Sequence, residues 1–235
     1  MLTPQTCGEK LMSETAMVYK ALQDLISAPE NKELECREFL QYAKGTLVSD
    51  TVIEFVYVEK ERRGTSGDSD YIVSCKVCNE IGVESVKAYI WELKAPQCYI
   101  FEKDTENRLR PTKELIQAEN QLLHYYHENK GSEQFKNDFG VTHSDNVLFG
   151  GIIIGCHAKR IKGDYPEEKK NKLFEKALMI RKKYIYDPLH IRIVHWDYIL
   201  DFLKQPIPPE PKIVEAVEVL SQPLDPQSIV VTSSP

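Results

Sequence analysis

Residues 147–156 read Val-Leu-Phe-Gly-Gly-Ile-Ile-Ile-Gly-Cys, an apolar run with no polar face. It falls far short of the ~18 residues of a membrane span, so 147–155 is predicted to be a buried central strand. Upstream, Leu11, Ala16, Val18, Leu22 and Leu25 recur at helical spacing over 8–27, and Pro29 ends that helix. Asn31 caps a second helix to about residue 42, with Leu34, Phe39 and Leu40 on one face. The period then changes. Residues 51–58, 71–77 and 85–94 are rich in β-branched and aromatic side chains and predict a three-stranded meander. Gly, Ser and Asp make a loop of 62–69, Asn79 to Gly82 a turn, and Pro96 stops the third strand. Pro111 opens a helix over 112–128 carrying Leu115, Ala118, Leu122 and Tyr125. After the central strand come a basic amphipathic helix at 167–184, a short strand at 191–194 and a helix at 196–203. The order predicts an α/β fold, a mixed sheet flanked by helices. Residues 1–30 read as an N-terminal helical segment and 31–204 as the main domain. Residues 205–235 read as an extended or disordered tail, because seven of the 13 prolines lie there.

Charge narrows the classes of partner. The chain carries a formal charge of −6, which is not that of a general polyanion binder. Yet residues 159–183 hold ten basic side chains against four acidic ones, leaving the remainder at −12. Such a segment is either a solvated helix face or a contact for a nucleic-acid backbone. The start of the chain lacks a basic, then apolar, leader pattern, so a cytoplasmic location without membrane contact is expected. Six scattered cysteines in a chain able to build its own core predict reduced thiols. Cys75 and Cys78 have no second pair to complete a zinc site and, three apart on a strand, face opposite sides. No Gly-rich phosphate loop occurs, so no ATP site is expected. There is no nucleophile elbow for Ser-His-Asp catalysis either.

The sharpest local feature is Trp91-Glu92-Leu93-Lys94 at the end of the third predicted strand. Glu92 and Lys94 project from one face, behind the inward residues Ala88 and Ile90. Two charges ending an apolar row are costly to bury without partners. Asp70 opens the neighbouring strand, with Asp68 as a rival two residues earlier, so Asp70 and Glu92 can meet at one end of the hairpin. Two carboxylates and a lysine suit a hard divalent cation with open positions for phosphate and water, as in phosphodiester hydrolysis. On those residues alone, Glu and Lys on a solvated strand face remain the alternative.

Glu-x-Lys closing a strand, an Asp opening the preceding one and a following helix with Gln121-x-x-x-Tyr125 resemble the PD-(D/E)xK nuclease superfamily, in its RecB-like branch. Trp91 to Gln97, then Ala118-Glu119-Asn120-Gln121-Leu122 and Tyr125, resemble the nuclease domain of the Shedu antiviral defence family. Gly150 to Gly155 is similar to that family's buried strand, Ile191 to Asp197 with Leu200 to its closing strand and helix, and Glu35 with Phe39-Leu40 to its first helix. The likeness spans roughly residues 30–205. Two positions depart from it: Ser69 stands where the superfamily's name has Pro, and His195-Trp196-Asp197 where Thr-Tyr-Asp is expected.

The resemblance implies a restriction-endonuclease-like PD-(D/E)xK core and a DNA nuclease that uses Mg²⁺, with Mn²⁺ as a substitute. Asp70 and Glu92 would be the metal ligands and Lys94 would orient and activate the attacking water. Gln121 would hydrogen-bond in the site, Tyr125 would pack on the sheet or touch a phosphate, and Glu35 would add an outer carboxylate. Each has a plainer reading: a polar helix position for Gln121, a core aromatic for Tyr125, a solvated side chain for Glu35. His124, His127 and His143 lie near that helix and read as surface histidines or phosphate contacts. The family resemblance also implies a homo-oligomer acting against phage or plasmids. The basic helix at 167–184 is the expected backbone contact, because neutralising phosphates is sequence-independent work for Lys and Arg. A repair or RNA nuclease of the same fold, and a non-cleaving nucleic-acid-binding or assembly module, are the alternatives.

Overall fold

The computed structural model describes residues 4–63, 68–105 and 108–204, with side chains at 15–56, 71–105 and 108–204. The predicted tail at 205–235 and the side chains of Cys7, Asp68 and Asp70 lie outside the described residues. The elements begin with α1 (Pro4–Ser27) and α2 (Glu33–Arg37), the latter running into a 3₁₀ turn at Glu38–Tyr42. Then follow β1 (Val52–Arg63), β2 (Asp68–Cys78), β3 (Glu84–Leu93), β4 (Phe101–Thr105) and β5 (Arg108–Pro111). Next come α3 (Lys113–Lys130), α4 (Glu133–Phe139), β6 (Val147–Ile153), β7 (Ile161–Lys162) and α5 (Glu167–Arg181). A π-helical turn (Lys182–Tyr186), α6 (Asp187–Leu189), β8 (Arg192–Val194) and α7 (Trp196–Phe202) close the described chain.

The main sheet has the order β1-β2-β3-β6-β8. β1, β2 and β3 pair antiparallel, β6 adds parallel to β3, and β8 parallel to β6. The apolar run therefore lies between β3 and β8, an interior position consistent with its lack of a polar face. Strand alternation divides the core in two. Tyr71, Val73, Cys75, Tyr89, Trp91 and Leu93 face a layer made with α1, α2 and α7. Ile72, Ala88, Ile90 and Ile152 face α3, α4 and α5. Helices on both faces make the molecule a mixed α/β sandwich. β5-β4-β7 forms a separate three-stranded sheet beside it.

Local chemistry fixes the ends of the covering helices. The Thr112 hydroxyl accepts the Leu115 N–H at 3.3 Å to cap α3, and Ser132 does the same for Phe135 at 3.1 Å at the start of α4. Gly140, at φ +67°, ends α4 in a left-handed turn. Within β6, the register with β3 slips by one residue between Phe149 and Gly151. A Cβ on Gly150 would collide with the Trp91 indole, so the bulge requires glycine there. No helix among the described residues is long and apolar enough to cross a membrane.

Candidate active site

Lys94 directly follows β3, and its backbone is held from two sides. Its N–H donates to Ile153 O at 2.8 Å, and its carbonyl accepts the Trp196 Nε1–H at 2.8 Å. Trp196 is fully buried, and its own N–H donates to Gly155 O at 3.1 Å. The Asp197 carboxylate accepts the His157 N–H at 2.6 Å and fixes the loop after β6. The start of α7 thus clamps the C-terminal ends of β3 and β6. Sequence reading assigns this stretch a structural part but misses Trp196 as the brace of Lys94, because the two are 102 residues apart.

Glu92 is 0% exposed, and its Oε1 accepts from Lys94 Nζ at 2.6 Å. The lysine side chain keeps 14% of its surface exposed. A carboxylate is therefore shut inside the α3-facing layer with a cation at its mouth, as strand periodicity predicts. Removing two charges from water is compensated only by good geometry and further hydrogen bonds. The solvated-face alternative for Glu92 does not hold. Tyr71 and Trp91 are cross-strand partners. Asp70 and Glu92 are the next residues beyond that pair on their strands; Asp70 is placed by its backbone alone.

Gln121 and Tyr125 lie one turn apart on α3, over the layer that contains Ile90. Gln121 Nε2 reaches the Tyr125 hydroxyl at 3.4 Å, and its Oε1 is buried without a partner among the described residues. Tyr125 is 7% exposed and belongs to the core, so the packing reading applies to its ring. Glu35 is on the exposed side of α2, and its described partner is Lys32, at 3.0 Å. Its own backbone N–H and that lysine hold its carboxyl below the usual range. Burial first, then Glu114 and Glu33, push the Cys98 thiol up to about 11, with Lys94 opposing them.

Other candidates separate clearly. Gln97 is a staple: its Oε1 accepts the Lys32 N–H at 3.1 Å and its Nε2 donates to Leu25 O at 2.9 Å, tying the α1–α2 junction to the loop after β3. His124 is exposed and faces Glu128 at 3.4 Å, and His127 and His143 are exposed as well. The five cysteines with described side chains are free. Within the basic segment, Arg160 and Lys170 pair with Glu167, Lys172 with Glu168 and Arg181 with Glu119. Lys169, Lys176, Lys182 and Lys183 are exposed, with no carboxylate partner among the described residues. The segment is thus partly structural and partly an open basic surface.

The Arg181–Glu119 pair is a half-buried joint between α5 and α3. Arg181 donates through Nε at 3.0 Å and through its terminal nitrogen to the Glu119 carboxylate, which also accepts from the Tyr186 hydroxyl. Glu119 is two residues before Gln121, so this joint fixes the helix that carries Gln121 and Tyr125. The π-helical turn at Lys182–Tyr186 returns Tyr186 to Glu119.

A divalent cation needs several oxygen ligands. Among the described residues, no group of three His, Cys, Asp or Glu side chains is arranged to hold a metal. Glu92 supplies one carboxylate, the kind of donor a hard cation takes. A scan against protein-family models and a search of curated proteins found no match to this chain.

Proposed function

We propose that the chain is a metal-dependent DNA nuclease of the PD-(D/E)xK type, resembling the Shedu defence effectors. The observation that carries this reading is the fully buried Glu92 with Lys94 at 2.6 Å, at the end of the central strand of a sheet in which three antiparallel strands are continued by two parallel ones and α3 covers one face. Glu92 and Asp70 are the ligands assigned to Mg²⁺, which Mn²⁺ would replace. Bound there, the ion would supply Lewis-acid polarisation of the scissile phosphate and a lowered pKa for water. Lys94 then orients the attacking water and offsets charge building on the phosphate. Gln121 contributes its buried amide oxygen to hold that water or the lysine. The exposed lysines 169, 176, 182 and 183 make sequence-independent contact with the DNA backbone. A cytoplasmic homo-oligomer acting against phage or plasmids completes the proposal.

A second reading rests on the same pair. An ion pair at this depth also serves as a structural lock, as expected of a non-cleaving nucleic-acid-binding or assembly module. The test is incubation of the full chain with supercoiled and linear DNA, and with RNA, in Mg²⁺, Mn²⁺ or EDTA, alongside Lys94→Ala. Metal-dependent cleavage of DNA that Lys94→Ala loses by about a hundredfold or more supports the nuclease and this site. Cleavage of RNA alone would redirect the substrate class. Cleavage undiminished in Lys94→Ala refutes the site. Absence of cleavage, together with no metal-dependent rise in Tm that Glu92→Gln removes, favours the module.

A further inference from the structure

Lys87 and Tyr89 of β3, Leu148 to Gly150 of β6 and Arg192 at the start of β8 line a cleft of about 880 Å³, and neither Glu92 nor Lys94 lines it. That is the size of a small-molecule site. One wall is aromatic: Tyr126 of α3 stacks on Phe149 of β6 with centroids 3.7 Å apart and planes at 25°. Another wall is a fixed carboxylate. Lys87 Nζ donates to Asp50 Oδ2 at 3.0 Å, and the Tyr89 hydroxyl donates to the same oxygen. Burial alone would raise the Asp50 pKa, but these two donors outweigh it and keep the carboxyl below its usual range. No donor among the described residues reaches the second oxygen. Tyr89 is 2% exposed, so the carboxylate is anchored to the core.

The third wall carries Arg192, whose guanidinium lies 5.3 Å from the Trp91 ring centroid. Arg192 has no carboxylate partner among the described residues, although Asp187 stands on the exposed rim. Among the described residues, the cleft thus joins a flat aromatic wall, a carboxylate with an open oxygen and a guanidinium without a carboxylate partner. A matching ligand is planar and aromatic, carries an amino donor and bears an anionic group. A guanidinium fork suits phosphate oxygens, and aromatic rings suit the face of a base.

We propose that this cleft binds a nucleoside phosphate, with its base against Phe149, which Tyr126 backs and Lys130 flanks at 5.3 Å from the Tyr126 centroid, the exocyclic amino group on Asp50 and the phosphate on Arg192. The site is composed of side chains from five segments, so the absence of a Gly-rich loop speaks only against phosphate binding of the P-loop kind. Binding here involves no chemistry on the ligand and does not depend on the nuclease reading.

The test is calorimetric titration of the full chain with AMP, ATP, GTP, CMP and UMP, with adenosine and inorganic phosphate alone as controls. At least one amino-bearing nucleotide is expected to bind saturably, with UMP and both controls weaker by about tenfold or more. Arg192→Gln is expected to weaken nucleotide binding about tenfold and leave adenosine unaffected, whereas Asp50→Asn weakens both. Lys94→Ala should bind as the parent does. Photo-crosslinking with 8-azido-ATP reads the location without any variant and is expected to label the peptide containing Tyr126 or Phe149. Absence of saturable binding at millimolar nucleotide overturns the proposal. So does a label placed elsewhere, or unchanged affinity in a folded Arg192→Gln.

Discussion

His195 offers a quantitative test of how the α5–α7 joint is packed. The ring lies 5.6 Å from Phe174 between centroids, and its buried Nδ1 has no partner among the described residues. Protonation would put an N–H on that nitrogen with nothing to accept it. Burial lowers its pKa from 6.5 to about 4; Asp197 opposes the fall, while Arg160 and His157 add to it. A depressed histidine contributes stability that is present above its unfolded pKa and is lost as pH falls toward the folded one. The full difference amounts to about 3 kcal/mol, of which about 2 kcal/mol should be lost between roughly pH 7.5 and pH 5. Urea unfolding at both pH values, on the parent and on His195→Gln, measures it, because carboxylate contributions cancel in the comparison. The parent should lose about 2 kcal/mol more than the variant. Equal losses within about 0.5 kcal/mol would refute the packing argument.

Two further substitutions probe the frame. Glu119→Gln leaves the half-buried Arg181 guanidinium without its counter-charge; unfolding free energy should fall by about 2 kcal/mol, and Glu119→Gln with Arg181→Met should recover part of that loss. Gly150→Ala pushes a methyl group into Trp91, which is fully buried and donates from Nε1 to Leu47 O at 3.1 Å; a loss of about 3 kcal/mol in urea, or failure to accumulate folded protein, is expected.

Periodicity revealed the parts of the fold that bury an apolar face. β1 to β3, α3, β6 and α7 lie within a few residues of their sequence-based positions, apart from β1, which runs on to Arg63. What escaped was short or polar. β4 and β5 hold five and four residues and alternate charged side chains such as Glu102 and Arg110, so neither offers an apolar run. α4 is seven residues long, and its Ser132 and Gly140 caps were readable signals on a segment too brief to show a helical period. The second helix changes to 3₁₀ at Glu38, which no propensity argument anticipates.

The Glu92–Lys94 pair was legible for one reason: two residues on a strand share a face whatever the rest of the chain does. The supports were not, because Trp196, Arg181 and Gln97 act across 102, 62 and 65 to 72 residues. Those supports bear on the choice between the two readings of the pair. A buried ion pair is a poor means of stabilisation, since apolar side chains of like volume commonly serve as well or better. Here the surroundings hold more than the charges. Trp196 fixes the lysine carbonyl, Gln97 fixes the loop behind it, and the Arg181–Glu119 joint fixes the helix that brings Gln121 over the same layer. Rigid support gathered around an expensive charge pair is what a reacting group needs, because catalysis depends on placing it to within a fraction of an ångström. The proposed nuclease would use that support to hold Lys94 in place, and the cleavage assay on Lys94→Ala decides between it and the module.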